Sequence, residues 1–212
     1  MTALLLVDLQ VDFMPTGMLP VAGGDRVVPI ANALMPRYEL VVATQDWHPA
    51  NHGSFAANHP WRKPGQVIDL DGLPQVLWPI HCVQDSWGAE FVADLHTEGI
   101  DKVIRKGTDP TIDSYSGFYD NGHRKSTGLA DYLRAQDVDT VHVMGLAADY
   151  CVKYTVLDAG AEGFSTVLIE DGTRGVELQE GDVASAIEEM RAAGARVVSS
   201  TEILTHVASS RR

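Results

Sequence analysis

Short runs of Val, Leu, Ile and Ala alternate along this chain with longer segments of helical period, and that rhythm restricts the fold more than any other feature. Near-continuous apolar strands must be buried on both faces, which is the condition of a parallel sheet covered by helices. Strands are expected at Ala3 to Val7, Leu40 to Thr44, Lys102 to Arg105, Thr140 to Gly145, Ser165 to Glu170 and Arg196 to Ser199. Helices are expected at Asp25 to Tyr38, Ala89 to Glu98, Thr127 to Gln136, Asp149 to Ala161 and Glu180 to Ala193, the last closed by Gly194. The expected fold is therefore α/β, a three-layer αβα arrangement around a mostly parallel central sheet of about six strands. A chain of 212 residues builds one good core and is short for two, so residues 1–212 are read as one domain.

Charge and cysteine usage narrow the chemistry. The 29 acidic against 16 basic residues give a formal charge of −13, which repels phosphate backbones and speaks against general nucleic-acid binding. Two cysteines, Cys82 and Cys151, are too few for a disulfide framework, so free thiols and a reducing interior are expected. The apolar start, Ala3 to Val7, is short, has no basic leader and meets Asp8 at once, unlike a signal peptide or a membrane span. A cytoplasmic protein acting on a small molecule is the expectation, with oligomeric state open, a homo-oligomer included.

Two stretches break the rhythm, Asp46 to Asp85 and Gly107 to Lys125, both rich in Gly, Pro, His, Trp, Tyr, Asn and Ser. Long irregular loops in a small domain usually carry function. With the strands placed as above, Asp8 ends the first, Asp46 follows the second, Lys106 follows the third, and Cys151 lies a few residues beyond the fourth. All four then share the edge at the carboxyl ends of the strands, where parallel α/β sheets bind their ligands.

The residue types gathered there suit nucleophilic catalysis. Cys151 follows the small-residue turn Gly145-Leu146-Ala147-Ala148 into a helix, where the N-terminal dipole favours a thiolate. A nearby Lys106 is expected to lower the thiol pKa below its free value of about 8.5, and Asp8 can take and return the proton. Singly, each position has an ordinary reading: a buried cysteine, a turn-forming aspartate, a solvated lysine. Their shared edge is what raises them to candidates. In the first loop, Asp46-Trp47-His48, with His81 and, four residues past His48, His52, offers one carboxylate and several imidazoles, a set that suits Zn, Fe(II) or Mn(II). Phe13, Trp78 and Tyr150 flank these positions and can wall a flat aromatic substrate, although apolar loop residues are more often plain core.

Six stretches resemble a known family: Leu6-Val7-Asp8-Leu9-Gln10-Val11-Asp12-Phe13; Gln45 to His52; Leu77 to Val83; Arg105-Lys106-Gly107; Asp113-Ser114-Tyr115-Ser116-Gly117-Phe118; and Gly145 to Val152. Their order and spacing over nearly the whole chain are similar to those of the nicotinamidases, within the isochorismatase-like cysteine hydrolases. The resemblance implies hydrolysis of nicotinamide to nicotinate and ammonia in NAD salvage, with pyrazinamide as a further substrate. It implies Asp8 as base, Lys106 as its electrostatic partner and Cys151 as nucleophile, passing through a thioester. One divalent metal ion is implied, zinc first and iron or manganese otherwise, on Asp46, His48 and His81 within a metal-binding loop region at about 46–85. His52 falls at a position that varies among relatives. Backbone N–H groups of Ala147 and Cys151 are implied as oxyanion donors, a cis peptide before Ala147 is implied as well, and Phe13, Trp78 and Tyr150 match ring-walling positions.

One departure stands out: relatives commonly carry Thr where this chain has Ala148, which puts the local stability of that turn in question. Competing readings are a carbamoyl amidase of the same superfamily, vinyl-ether hydrolysis of the isochorismatase type, metal-hydroxide hydrolysis with a structural Cys151, and a binding module without activity.

Overall fold

The computed structural model describes residues 1–209. Its centre is a six-stranded sheet built from β1 (Thr2–Val7), β2 (Leu40–Asp46), β5 (Lys102–Lys106), β6 (Thr140–Leu146), β7 (Ser165–Arg174) and β8 (Arg196–Val198). The strand order is β5-β2-β1-β6-β7-β8 and every pairing in this sheet is parallel. The side-chain period of two divides the strand residues between the two faces. Leu4 and Leu6 of β1 pack with Val27, Ala31 and Leu34 of helix α1 (Val27–Leu34), and Ile203 and Leu204 of α5 (Ser200–Ser209) lie against the same layer. Ala3, Leu5 and Val7 face the opposite layer, with Leu129 and Leu133 of α2 (Leu129–Ala135), Val156 and Ala159 of α3 (Lys153–Ala161) and Met190 of α4 (Asp182–Ala192). All six expected strands are present, several a residue or more longer than expected.

Three differences from the sequence reading have identifiable causes. The stretch expected to be a helix at Ala89 to Glu98 holds only 3-10 turns, at Trp87–Ala89 and Thr97–Gly99. Its backbone is taken up by the exit of β1: Val11 N donates to Glu90 O, Val92 N donates to Leu9 O, and Gln10 and Phe91 form an antiparallel bridge. The irregular stretch after β2 contains a hairpin, β3 (Val67–Leu70) and β4 (Leu73–Val76), turning at Asp71-Gly72, both with positive φ. An Asp-Gly pair between two apolar runs is the usual signature of such a turn. Finally, α5 was not anticipated, yet its start is signalled by Ser199 and Glu202: Ser199 Oγ accepts from Glu202 N, and Glu202 Oε1 accepts from Ser199 N. That reciprocal pair is a capping box. Among the described residues, no helix is long and apolar enough to cross a membrane.

Candidate active site

The four reactive residues named from the sequence meet at the carboxyl edge of the sheet. β5, β2, β1 and β6 are consecutive neighbours, and the register places Asp46 opposite Lys106 and Val7 opposite Gly145. Gly145 sits at φ +122°, and a Cβ there would lie 2.1 Å from Val7 O, so β1 and β6 approach this closely only with glycine. The Leu146-Ala147 peptide is cis, and a single π turn, Ala148–Val152, then carries Cys151 into α3. Ala148 is fully buried in that turn. The turn is tied down from the other side by Asp149, whose carboxylate accepts from Val176 N (2.9 Å) and Glu177 N (2.8 Å).

Lys106 is the hub. Its ammonium, fully buried, lies 2.9 Å from Asp8 Oδ2, donates to Asp46 Oδ1 (2.5 Å) and Ser114 O (2.9 Å), and reaches Cys151 Sγ at 3.4 Å. Burial disfavours that charge, but Asp46 and Asp8 outweigh it and hold the Lys106 pKa well above its ordinary value. Asp46 suffers burial too, yet Lys106 and then His48 keep its carboxyl far below the usual range. Asp8 goes the other way: burial raises its pKa, and the lowering by Lys106 does not cancel it. The Cys151 thiol corrects the sequence-based expectation. Burial pushes its pKa well above the free value, Lys106 opposes only in part, and Asp8 and Asp46 add to the rise. Burial thus disfavours the thiolate at Cys151 and raises the basicity of Asp8 beside it, a pairing suited to forming the thiolate by proton transfer.

The second loop cluster lies alongside. One ligand atom each from Asp46, His48 and His81 falls within 4.8 Å of the others, all three side chains being buried. His48 Nδ1 meets Gly107 O at 2.8 Å and His81 Nδ1 meets Pro79 O at 2.8 Å. A carbonyl only accepts, so each Nδ1 carries a hydrogen, and in the neutral imidazole each Nε2 then presents a lone pair. The two Nε2 atoms face one oxygen: His48 Nε2 is 3.4 Å and His81 Nε2 is 3.8 Å from Asp46 Oδ2. Burial brings the His81 pKa down to about 4, whereas Asp46 outweighs burial at His48 and raises it. Two imidazoles oriented by backbone carbonyls, converging on a carboxylate, fit the donor set and outer support of a transition-metal site. His52 is also buried, its ring centroid 4.2 Å from that of His48, but it groups with His48 and Asp113 rather than with Asp46 and His81. Ser54 holds its Nδ1 at 2.7 Å, and its Nε2 has no hydrogen-bond partner.

Between the two clusters opens a small pocket reached by Cys151, Asp46, His81 and Ala147 and walled by Phe13, Trp78 and Tyr150, all expected from the sequence. Trp78 meets Tyr150 edge to face at 4.8 Å. Leu19, Tyr115, Val176 and Asp113 also line it and were not singled out individually. Asp113 and Tyr115 belong to a motif noted above, so their signal was available. Asp113 accepts from Gln75 Nε2 (3.0 Å) and Ser114 N (2.8 Å), and the Tyr115 phenol accepts from Gln75 Nε2 (3.0 Å) and Trp78 Nε1 (3.2 Å). Two buried struts, Gln10 and Asp12, belong to the first of the motifs noted above, which gave them no role of their own. Gln10 bonds both Asp46 O and Asp46 N at 2.8 Å, and Asp12 Oδ2 accepts from Cys82 N at 2.7 Å beside His81. The partners they hold, Asp46 and Cys82, lie 36 and 70 residues away, so only the assembled structure gives them this role.

Comparison with known proteins places this arrangement. Residues 2–202 match the Isochorismatase domain family model. The chain is 54% identical over 200 residues to the nicotinamidase of Escherichia coli (strain K12), covering 91% of this chain and 92% of that one. An Acinetobacter baumanii nicotinamidase pyrazinamidease structure superposes with a TM-score of 0.93 at 46% identity, over 95% of this chain and 97% of the other. A Pyrococcus horikoshii pyrazinamidase solved in complex with zinc gives 0.76 at 39% identity, over 93% and 98%. The chain belongs to the isochorismatase family and, within it, to the nicotinamidases.

Proposed function

We propose that this protein hydrolyses nicotinamide to nicotinate and ammonia, and pyrazinamide by the same route, as a cytoplasmic step of NAD salvage carried by one domain spanning residues 1–212. The observation that carries the reading is the contact of one buried lysine with two carboxylates and a thiol, beside an Asp-His-His set and an aromatic-walled pocket. Asp46, His48 and His81 would hold a divalent ion, zinc first and iron or manganese otherwise, with His52 as a reserve ligand. When bound, that ion supplies a Lewis-acid anchor for a ring nitrogen. Phe13, Trp78 and Tyr150 sandwich the ring and exclude water.

The reaction follows from the placement of Asp8, Lys106 and Cys151. Asp8 takes the proton from Cys151, and the thiolate attacks the amide carbon while Lys106 balances the charge that has moved. The oxyanion rests on the N–H groups of Ala147 and Cys151. Asp8 then protonates the departing nitrogen, ammonia leaves, and a thioester remains. A water deprotonated by Asp8 attacks the thioester and releases nicotinate and the thiol. Ammonia release from nicotinamide by purified protein, before and after chelation and metal replacement, tests the reading. Turnover that is lost on chelation and regained with zinc is expected, and a metal-replete protein with no turnover refutes it.

A further inference from the structure

We propose that Thr44, a fully buried residue of β2, is a positioning residue that decides which carboxylate oxygen of Asp8 exchanges protons with Cys151, an inference that rests on the functional reading above. Asp8 N donates to Thr44 Oγ1 at 3.2 Å, so the hydroxyl accepts there and its own hydrogen is left to give. It gives it to Asp8 Oδ1, 2.6 Å away. That bond persists whether or not the carboxyl carries a proton, provided the proton sits on the other oxygen.

The other oxygen is kept open. Asp8 Oδ2 lies 2.9 Å from Lys106 Nζ, but the ammonium has three hydrogens and they serve Asp46 Oδ1, Ser114 O and Cys151 Sγ. Oδ2 is thus near a positive charge without receiving a directed hydrogen bond. Asp8 and Cys151 offer their acid-base atoms within 4.8 Å of each other. Oδ1 already accepts the Thr44 hydroxyl and is turned toward β2, whereas Oδ2 accepts no hydrogen bond and lies on the side of Lys106, so Oδ2 is the oxygen that exchanges the proton. Asp8 also has φ +49°, uncommon for a residue with a side chain, and the Thr44 bonds to its backbone and its carboxylate hold both in that conformation. The Thr44 methyl packs closely on Gly117, where an added Cβ would come within 2.9 Å of Cγ2, and Gly117 N donates to Thr155 Oγ1 at 2.9 Å.

The experiment compares Thr44→Val, which keeps the shape and deletes the hydroxyl, with Thr44→Ser, which keeps the hydroxyl. Thr44→Ala replaces the valine variant if that one does not fold. Three quantities are read: kcat and KM for ammonia release from nicotinamide, bound metal, and the rate at which iodoacetamide alkylates Cys151, followed by peptide mass mapping to separate it from Cys82. Misplacing a reacting group by about 1 Å costs about 10²-fold in rate, so Thr44→Val is expected to lower kcat about 10²-fold. KM and metal content stay as in wild type, alkylation of Cys151 slows in parallel, and Thr44→Ser restores both rates. Wild-type kcat in Thr44→Val, a serine variant as slow as the valine one, or a loss confined to KM each overturns the proposal. If wild type itself releases no ammonia, the functional reading has failed; the alkylation rates still judge Thr44, and equal rates in wild type and Thr44→Val overturn its role.

Discussion

The two halves of the site are placed by opposite means. Asp8, Lys106 and Asp46 sit on or directly after strands whose pairing fixes the backbone, and their side chains are then free to bond one another. His48 and His81 lie on a stretch secured by isolated bridges, His48 with Val83 and Phe55 with Trp78, and each imidazole uses a hydrogen bond to a backbone carbonyl to hold its orientation. Where the scaffold is regular, polar side chains build chemistry; where it is irregular, part of their bonding capacity is spent on staying in place. Asp8 and Lys106 should therefore respond to substitution mainly in rate, His48 and His81 mainly in occupancy, with Asp46 shared between the two.

Cys151→Ala presses hardest on this distinction. It is expected to lower kcat by about 10⁴-fold or more while metal content and melting temperature stay near wild type, read by ammonia release, elemental analysis and calorimetry. Retained turnover would transfer the nucleophile to the metal site. His81→Ala is the mirror experiment: on the proposed reading it removes an imidazole ligand and leaves the thiol, so bound zinc and activity should fall together and recover in part at high added zinc. A loss of rate at full occupancy would break the comparison.

Gly107→Ala probes the seam. Gly107 follows Lys106, has φ +64°, and its carbonyl orients His48; a Cβ there would lie 2.3 Å from the His48 ring. Disturbing an outer support of this kind costs about 10- to 100-fold in metal affinity, and that is the expected result in a zinc titration. An unchanged zinc affinity would mean that His48 does not need this support. The smallest effect belongs to the frame both halves share. His142 on β6 meets the Tyr38 hydroxyl at 2.7 Å, and burial, with Arg196 nearby, lowers its pKa to about 4. Above about 6.5 both folded and unfolded states leave it neutral; as the pH falls towards about 4 the unfolded state gains a proton that the folded state refuses, so stability declines across that window. His142→Gln should narrow the difference between urea midpoints at pH 7 and pH 5, without changing kcat at pH 7.

The sheet and its reactive edge were legible because apolar runs such as Ala3 to Val7 and Thr140 to Gly145 can only be buried strands, and Asp8, Lys106 and Cys151 stand at or just beyond the ends of such runs. What escaped was decided by partners distant in sequence. Ala89 to Glu98 has the composition of a helix, but Leu9 and Val11 claim its backbone. The thiol was expected to be acidified by Lys106, and the cost of burying its charge proved larger. Thr44 and Gln10 look like ordinary strand-end polar residues until the neighbouring strands stand beside them. Two elements outside that rhythm carry local cues of their own, the Asp71-Gly72 turn and the Ser199 to Glu202 cap.

The parallel order β5-β2-β1-β6 has a bearing on how the chain becomes itself. The lysine hub and its acidic partners are separated by 60 residues between Asp46 and Lys106, and a further 45 separate Lys106 from Cys151. No hairpin-sized fragment contains the site, and an intermediate that had closed β1 on β2 without β5 would enclose two carboxylates with no counter-charge. Such a state is penalised by the desolvation of those charges, which makes the assembly of this edge cooperative. Regained catalysis during refolding should accordingly trail the return of helical signal and coincide with the docking of β5, so that turnover serves as a gauge of completed topology.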